Sequence, residues 1–588
     1  MDEEQMKMAE ELLFTGEEKP SFAKLLYFGL FDAERIFPFP SVQPAKQSQT
    51  QAFLEKVKAF CENELDPDAI DRQAEIPESI RRRLGEMGVM GMTVPEQYGG
   101  LNMSQDAYCQ TMELVARYCA STALLVNAHQ SIGLKALLLF GTQEQRDRWL
   151  PDLAAGRKLA AFSLTEPTAG SDAAGVKTRA VYDPQKNVYR ITGRKQWTTS
   201  GSIADVLTVM ARTEIKTDRG IEDKITAFLV TPDMPGFKVL DKALEKTGMR
   251  GTWTANLELN DVEVPVENVL GPLGGGLRVC LTVLDYGRTT FGATCTGTAK
   301  FLLENAIRHA TERQQFNRPL ASFGLVKEKI TRMSALVYAM DATVKLTAGL
   351  VDRGQDDIML ESAILKVFAS DSQWQILYDT MQILGGRSFF CDAPYERMMR
   401  DARLNMIGEG SNEVMRAFIG AVGMRDVGMQ LKGVADAAKA PLSDFGSLWS
   451  FGKFMAGKVC TPKVPIQSGQ LADEAQRLGR AVRSFGLAIP RLLAKYREKI
   501  VEEQLHLNRI SECAMALYTV SAVLSKLDSD IQRAGGDPSR LGTDLDVARF
   551  YCHEAFARID SNLTALSSNS DEIIYQLSDR ITGVAPAG

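Results

Sequence analysis

Histidine is the scarcest ionisable residue in this chain of 588: His129, His309, His506 and His553 are the only four. None stands beside a cysteine or another histidine at ligand spacing, which argues against a metal centre. Nine cysteines, at positions 61, 109, 119, 280, 295, 391, 460, 513 and 552, form no CxxC pair and are odd in number, so reduced thiols are expected. A long basic block is also missing. With 68 basic against 74 acidic residues the net charge is −6, so no phosphate-neutralising footprint exists and nucleic acid is not an expected partner. The opening residues, MDEEQMKMAEELL, are acidic, with neither the layout of a secretory signal nor the Arg/Ser-rich makeup of a transit peptide, and a cytoplasmic location is expected. No uninterrupted apolar run reaches about 18 residues, so no membrane span is expected.

What remains has the profile of an ordinary globular protein, 45% apolar and 24% charged, long enough for three or four units of about 150 residues each. Residues 1–45 mix acidic, aromatic and proline-containing stretches and read as an arm laid on a larger surface. Residues 46–158 carry apolar positions at three- and four-residue spacing, the pattern of helices. Over 159–276 the period switches toward two, as in NVYRITGRKQWTTSG and DVLTVMART, which predicts a compact β domain. Helical spacing returns over 277–428 as an antiparallel bundle. Residues 429–470 read as a linker, and 471–588 as a last helical domain. The expected fold is mainly α with a central β domain.

Several short segments have the makeup of ligand sites. At the entry to the β domain stand Leu164, Thr165, Gly170 and Ser171 in LTEPTAGSD, small and hydroxyl-bearing residues that let backbone N–H groups approach a planar cofactor or a phosphate. A polar turn explains them as well. Trp197 and Thr199 follow in QWTTSG, where a flat ring beside hydroxyls suits a tricyclic ligand; a core tryptophan is the commoner explanation. Asp285 and Arg288, three apart on a helix face, ordinarily make a solvated ion pair. Arg313 and Phe316 end one helical stretch and Gln382, Gly385 and Gly386 close another, where arginine and glycine backbone suit a pyrophosphate, although a glycine C-cap accounts equally for the second. Finally, Glu409 lies between Gly408 and Gly410 just before Ser411 and Glu413, a carboxylate stripped of bulky neighbours.

In this order and separation the segments resemble the acyl-CoA dehydrogenase family, with LTEPTAGSD and QILGG…GEGSNE as the most specific matches over residues 50–430. The residues beyond Arg425 resemble the extra helical domain of its very-long-chain branch, as do AHQSIGLKALLLFGT and KITAFLV. The resemblance implies FAD as cofactor, a long-chain fatty acyl-CoA as substrate, α,β-dehydrogenation to the trans-2-enoyl-CoA in fatty-acid β-oxidation, an electron-transferring flavoprotein as acceptor, and a homodimer. Two alternatives share the layout: an acyl-CoA oxidase, and an assembly protein with weakened catalysis.

Carried over residue by residue, Glu409 matches the base that takes the α-proton, its N–H helping to hold the enolate oxygen. Leu164, Thr165, Gly170, Ser171, Trp197 and Thr199 match flavin contacts, with Ser171 also facing the CoA arm. Arg313, Phe316, Gln382, Gly385, Gly386, Ser411 and Glu413 match positions around the rest of the FAD, partly across the dimer interface. Asp285, Arg288 and Gly410 match the substrate side. Gly408 departs from the bulky aromatic usual before the base, Ser411 from the common threonine, and Gln314-Gln315 from an arginine-flanked loop. Gly133 and Ala136, at i and i+3, are expected to leave an acyl channel open for chains of about C12 or longer, unless they serve close helix packing. The segment 445–459, four bulky aromatics with two lysines and no acid, either makes peripheral contact with the inner face of a membrane or packs against the bundle or a partner subunit.

Overall fold

The computed structural model describes residues 20–40, 44–217, 220–355, 357–439 and 460–584. They divide into two compact units, residues 40–411 and residues 20–39 together with 412–584.

The first unit begins with helices, among them Pro44–Asn63, Gln105–Tyr118 and Gln143–Ala154. Their starts follow local chemistry. Ser104 accepts the Ala107 N–H, and Thr142 with Gln145 forms a reciprocal capping box. Between Ala128 and Leu134 the hydrogen bonding widens to a π-helix, which breaks the 3.6-residue repeat inside an otherwise α-helical stretch.

The sheet follows: β1 (Ala160–Ser163), β2 (Arg179–Asp183), β3 (Val188–Thr199), β4 (Val206–Thr217), β5 (Gly220–Val230), β6 (Phe237–Val239), β7 (Thr254–Pro265) and β8 (Val269–Leu270). Its order is β6-β7-β3-β2-β4-β5-β8, with β1 parallel to β4. One buried cluster, including Ile191, Val209, Phe228 and Leu257, fills one side of it. A second cluster joins Met210, Ile225 and Leu229 to Leu134, Trp149 and Leu150 from the helices.

Helices Gly276–Glu312, Gly324–Asp352, Met359–Leu384 and Tyr395–Leu404 complete the unit. The first, at 37 residues, is about 55 Å long and runs past both the N-terminal helices and its own bundle. It approaches Gln105–Tyr118 so closely that a Cβ on Gly297 would lie 2.0 Å from the Glu113 carbonyl oxygen.

In the second unit, helices Asn412–Lys439, Ala472–Tyr496, Gln504–Arg533, Asp544–Ala565 and Asp571–Thr582 pack with a short N-terminal helix, Phe22–Tyr27. For residues 20–39 that helix corrects the reading of a surface arm: Phe22, Leu26 and Tyr27 are wholly buried. The helix from Asn412 also continues past residue 428, so the expected linker starts later. The segment 445–459 lies outside the described residues. Three stretches, Ala120–Phe140, Gly324–Asp352 and Gln504–Arg533, are long and apolar enough to cross a membrane, but 67–89% of their most apolar windows is buried inside the protein, and core packing accounts for their composition.

Candidate active site

The turn after β1 is held from inside. Glu166 exchanges backbone hydrogen bonds with Ala169, and its carboxylate accepts the N–H groups of Lys177 at 2.6 Å and Thr178 at 3.0 Å. Lys195, buried on β3, donates to Glu166 Oε1 at 2.7 Å and to the Leu164 carbonyl at 3.0 Å. Burial alone would raise the Glu166 carboxyl, but Lys195 and the amide donors outweigh it and hold it below the usual range. This ion pair fixes Leu164 and Thr165, and neither of its members stood out in the sequence.

Directly beside the turn, β3 slips its register against β7 between Lys195 and Thr198, a β-bulge in which Trp197 takes φ +59°. The Gln196 N–H bonds the Thr165 carbonyl at 2.8 Å, tying bulge to turn. The bulge re-aims the tryptophan: its side chain is 60% exposed, which removes the core explanation for it. Leu164, Thr165, Trp197 and Thr199 are thus brought together. Gly170 and Ser171 sit at the exposed edge of the same turn, and no atom lies within 4 Å of where a Gly170 Cβ would be.

Asp285 and Arg288 are not the solvated pair that their spacing ordinarily makes. Arg288 is buried and Asp285 half-buried, 3.1 Å apart, with Ser362 Oγ donating to Asp285 at 3.0 Å. Burial pushes the Asp285 carboxyl up to about 6 even with Arg288 beside it. Arg288 Nε also donates to the Glu409 carbonyl at 3.4 Å, and Lys366 Nζ to the Gly410 carbonyl at 2.7 Å.

Glu409 occupies the loop after helix Tyr395–Leu404, with φ +56°, followed by Gly410 at φ +93°. A carboxylate-bearing residue in the left-handed region costs on the order of 1 kcal/mol or more, so the surrounding bonds hold it there. Its Oε2 is shut from solvent and has no hydrogen-bond partner. A Cβ on Gly287 would stand 3.0 Å from that oxygen and 3.0 Å from Ile132. Glycine at 287 therefore makes room for the carboxylate. Desolvation raises the Glu409 carboxyl to about 7, with Arg288 and Lys366 pulling the other way. At Gly408 an added Cβ would meet Leu404 at ordinary contact distance, its carbonyl oxygen at 3.6 Å.

One helical turn past Gly287, Phe291 and Thr294 line a narrow cavity with Ala116, Ala120, Ala123 and Asn127. Its volume, about 20 Å³, is room for roughly one water. The sequence reading missed it, because its alanines come from two helices that break at the extended residue Cys119. Gly133 and Ala136 are placed otherwise than expected. A Cβ on Gly133 would meet the Ala160 carbonyl at 2.9 Å, and Ala136 is buried in the same core cluster as Ala160. Both serve close packing, the alternative to an open channel, although the partner is β1 and the sheet core and not another helix.

A further group is exposed and makes no hydrogen bond to the Trp197 cluster among the described residues. Arg313 precedes a two-residue hairpin, Phe316 is 87% exposed at φ +54°, Gln382 donates to Tyr378 Oη at 3.3 Å, and Gly385 and Gly386 have open space around them. Ser411 ends the first unit, and Glu413 lies exposed in the first turn of helix Asn412–Lys439 in the second.

A β domain between helical domains, with a buried glycine-flanked carboxylate, defines a class, and comparison with known proteins gives it a family. Residues 47–157, 161–262 and 274–424 match the N-terminal, middle and C-terminal domains of acyl-CoA dehydrogenase, and 469–584 match the ACAD9/ACADV C-terminal domain. The chain belongs to the acyl-CoA dehydrogenase family, whose members are FAD-dependent oxidoreductases, and its activity is fatty acyl-CoA dehydrogenation. It is 34% identical to the mitochondrial very long-chain specific acyl-CoA dehydrogenase of Homo sapiens over 94% of this chain and 85% of that one. It is 35% identical to the probable acyl-CoA dehydrogenase FadE10 of Mycobacterium tuberculosis over 99% and 91%. Among solved structures, an acyl-CoA dehydrogenase complexed with FAD from Bacillus anthracis matches with a TM-score of 0.77 at 27% identity, covering 95% of both chains.

The residues present fit the cofactor. An outward-turned Trp197, a turn with backbone locked by a buried ion pair, and glycines with empty space at 170, 385 and 386 are what a large planar ligand with a pyrophosphate requires.

Proposed function

We propose that this chain dehydrogenates long-chain fatty acyl-CoA at the α,β position, with Glu409 as the base, and passes the electrons to an electron-transferring flavoprotein. The observation that carries the reading is the Glu409 Oε2 atom, buried, unpartnered and with a proton affinity raised to about 7. A thioester α-carbon is a weak acid, and a desolvated carboxylate is better matched to it than one in water. FAD, when bound, supplies the acceptor for the hydride leaving the β-carbon.

This chain's residues do the rest. Glu409 Oε2 takes the α-proton, and the Glu409 N–H helps hold the enolate oxygen, as in the family it belongs to. Leu164, Thr165, Gly170, Ser171, Trp197 and Thr199 hold the ring system. Arg313, Phe316, Gln382, Gly385 and Gly386, all exposed here, hold the remainder of the FAD across a homodimer interface. Asp285 and Arg288 support the loop on the substrate side. We assign the acyl tail to the narrow cavity beyond Gly287, which would have to widen by movement of lining side chains such as Leu124 and Met249. Relatives named for very-long-chain substrates support the preference for long chains.

The test is turnover of a saturated long-chain acyl-CoA by Glu409→Gln. Loss of roughly 10²–10⁴-fold with FAD still bound is expected; near-normal turnover would show that another group is the base. Glycine at 408, where the family usually has a bulky aromatic, favours one second reading, an oxidase, because it takes side-chain bulk away from the base. Stoichiometric peroxide from the wild-type enzyme without an added acceptor would establish it.

A further inference from the structure

Helix Met359–Leu384 presents an unbroken buried run from Leu360 to Ser370, and within it Lys366 has no exposed surface. An ammonium withdrawn from water costs several kcal/mol unless something compensates it. Its Nζ donates to the carbonyl of Gly410, the residue after Glu409, at 2.7 Å. From the facing helix Gly276–Glu312, Arg288 Nε donates to the carbonyl of Glu409 itself at 3.4 Å. Two successive peptide carbonyls are therefore gripped by two buried cations from two helices, at the point where the backbone runs left-handed.

The groups facing the Glu409 carboxylate can be named by element. Helix Gly276–Glu312 brings Arg288, whose charge is shared with Asp285 behind it, and the Cys295 thiol. Helix Gln105–Tyr118 brings the Tyr108 hydroxyl, and the π-helical segment brings the apolar Ile132. Helix Met359–Leu384 brings Lys366. Both cations favour the ionised carboxylate, Arg288 more than Lys366, and Lys366 alone holds the following carbonyl at Gly410. We infer that Lys366 is a positioning residue for the base, fixing the Glu409-Gly410 turn through the Gly410 carbonyl and supplying positive field to the Glu409 carboxylate. Burial brings the lysine's own proton affinity down to about 8, which leaves it charged where Glu409 ionises. The inference rests on Glu409 as the base.

The experiment compares Lys366→Met, Lys366→Gln and Lys366→Arg in the FAD-loaded enzyme. It reads the flavin absorbance, the melting temperature and the pH profile of kcat/KM. Removing an opposite charge near a carboxylate raises its proton affinity, so in Lys366→Met the acid limb should move up by about one pH unit and kcat should fall at least about tenfold. Lys366→Gln keeps a donor for the Gly410 carbonyl but no charge. It should show the same limb displacement with a smaller loss of kcat, and it carries the test should the methionine variant not fold. Lys366→Arg should restore the position of the limb. Falls in rate with the limb unmoved in both uncharged variants would overturn the inference and leave Lys366 a packing residue. Failure of the base assignment is seen separately, as activity retained in Glu409→Gln.

Discussion

At the scale of single residues, the carboxylate of Glu409 has opposing demands placed on it. Desolvation favours its protonated form, while Arg288 and Lys366 favour the ionised one, and desolvation wins, leaving the group near 7. A base works only when ionised. With the group raised, the ionised fraction declines below pH 7 instead of below the usual carboxylate range near 4, so kcat/KM should drop about tenfold per pH unit below 7. A steady-state profile from pH 5 to 8 checks this; a flat response down to pH 5 would mean that Glu409 stays ionised in the free enzyme. Glu409 was legible in the sequence because two flanking glycines and a family motif mark it. Lys366 and Gly287 were not, since nothing local distinguishes a buried lysine from a surface one, or a glycine that makes room from one that caps. Gly133 and Ala136 were ambiguous for a physical reason as well: small side chains on a helix permit an open channel or close packing, and only the approach of β1 at Ala160 decides for packing.

Elements explain what residue patterns alone left ambiguous. Trp197 reads as a core residue in a period-two strand, yet the bulge in β3 changes the alternation just before it and turns the ring outward. The bulge is braced by the turn below it, and the turn by Lys195 and Glu166, whose side chains are 0% and 4% exposed. Breaking a buried pair by removing one partner leaves a stranded charge and costs about 3–5 kcal/mol. Lys195→Met should therefore free the turn, lower the melting temperature and weaken FAD retention, measured as flavin released on gel filtration, without altering Glu409. A variant that holds FAD as tightly as the wild type would separate the ion pair from the cofactor site. The alternation of strands and helices was readable because hydrophobic period changes from two to 3.6 at the domain borders. The ion pair was not, because its partners lie 29 residues apart in the chain and meet only once β1 and β3 enter the same sheet.

On the scale of the whole molecule, the first described residues belong with the last. Residues 20–39 fold with 412–584, although residues 40–411 stand between them in sequence. Composition could not reveal this: an aromatic, proline-containing stretch looks the same laid on a surface or set in a core, and only long-range packing decides. Tyr27 does the deciding. Its hydroxyl donates to the Ile419 carbonyl at 2.7 Å, its ring meets Phe485 edge-on at 5.0 Å, and the glycine at 423 leaves the space that the ring fills. Tyr27→Ala should empty that space and, like other large-to-small aromatic deletions in a core, destabilise the C-terminal unit by about 3–5 kcal/mol. Tyr27→Phe keeps the ring and strands only one helix carbonyl, so a loss of about 1 kcal/mol is expected. Amide hydrogen exchange reads the two variants unit by unit. Protection should fall in helices Asn412–Lys439 and Gln504–Arg533, more for alanine than for phenylalanine, while the β strands exchange as in the wild type. Unchanged protection in those helices with alanine at 27 would return residues 20–39 to the role of a dispensable arm.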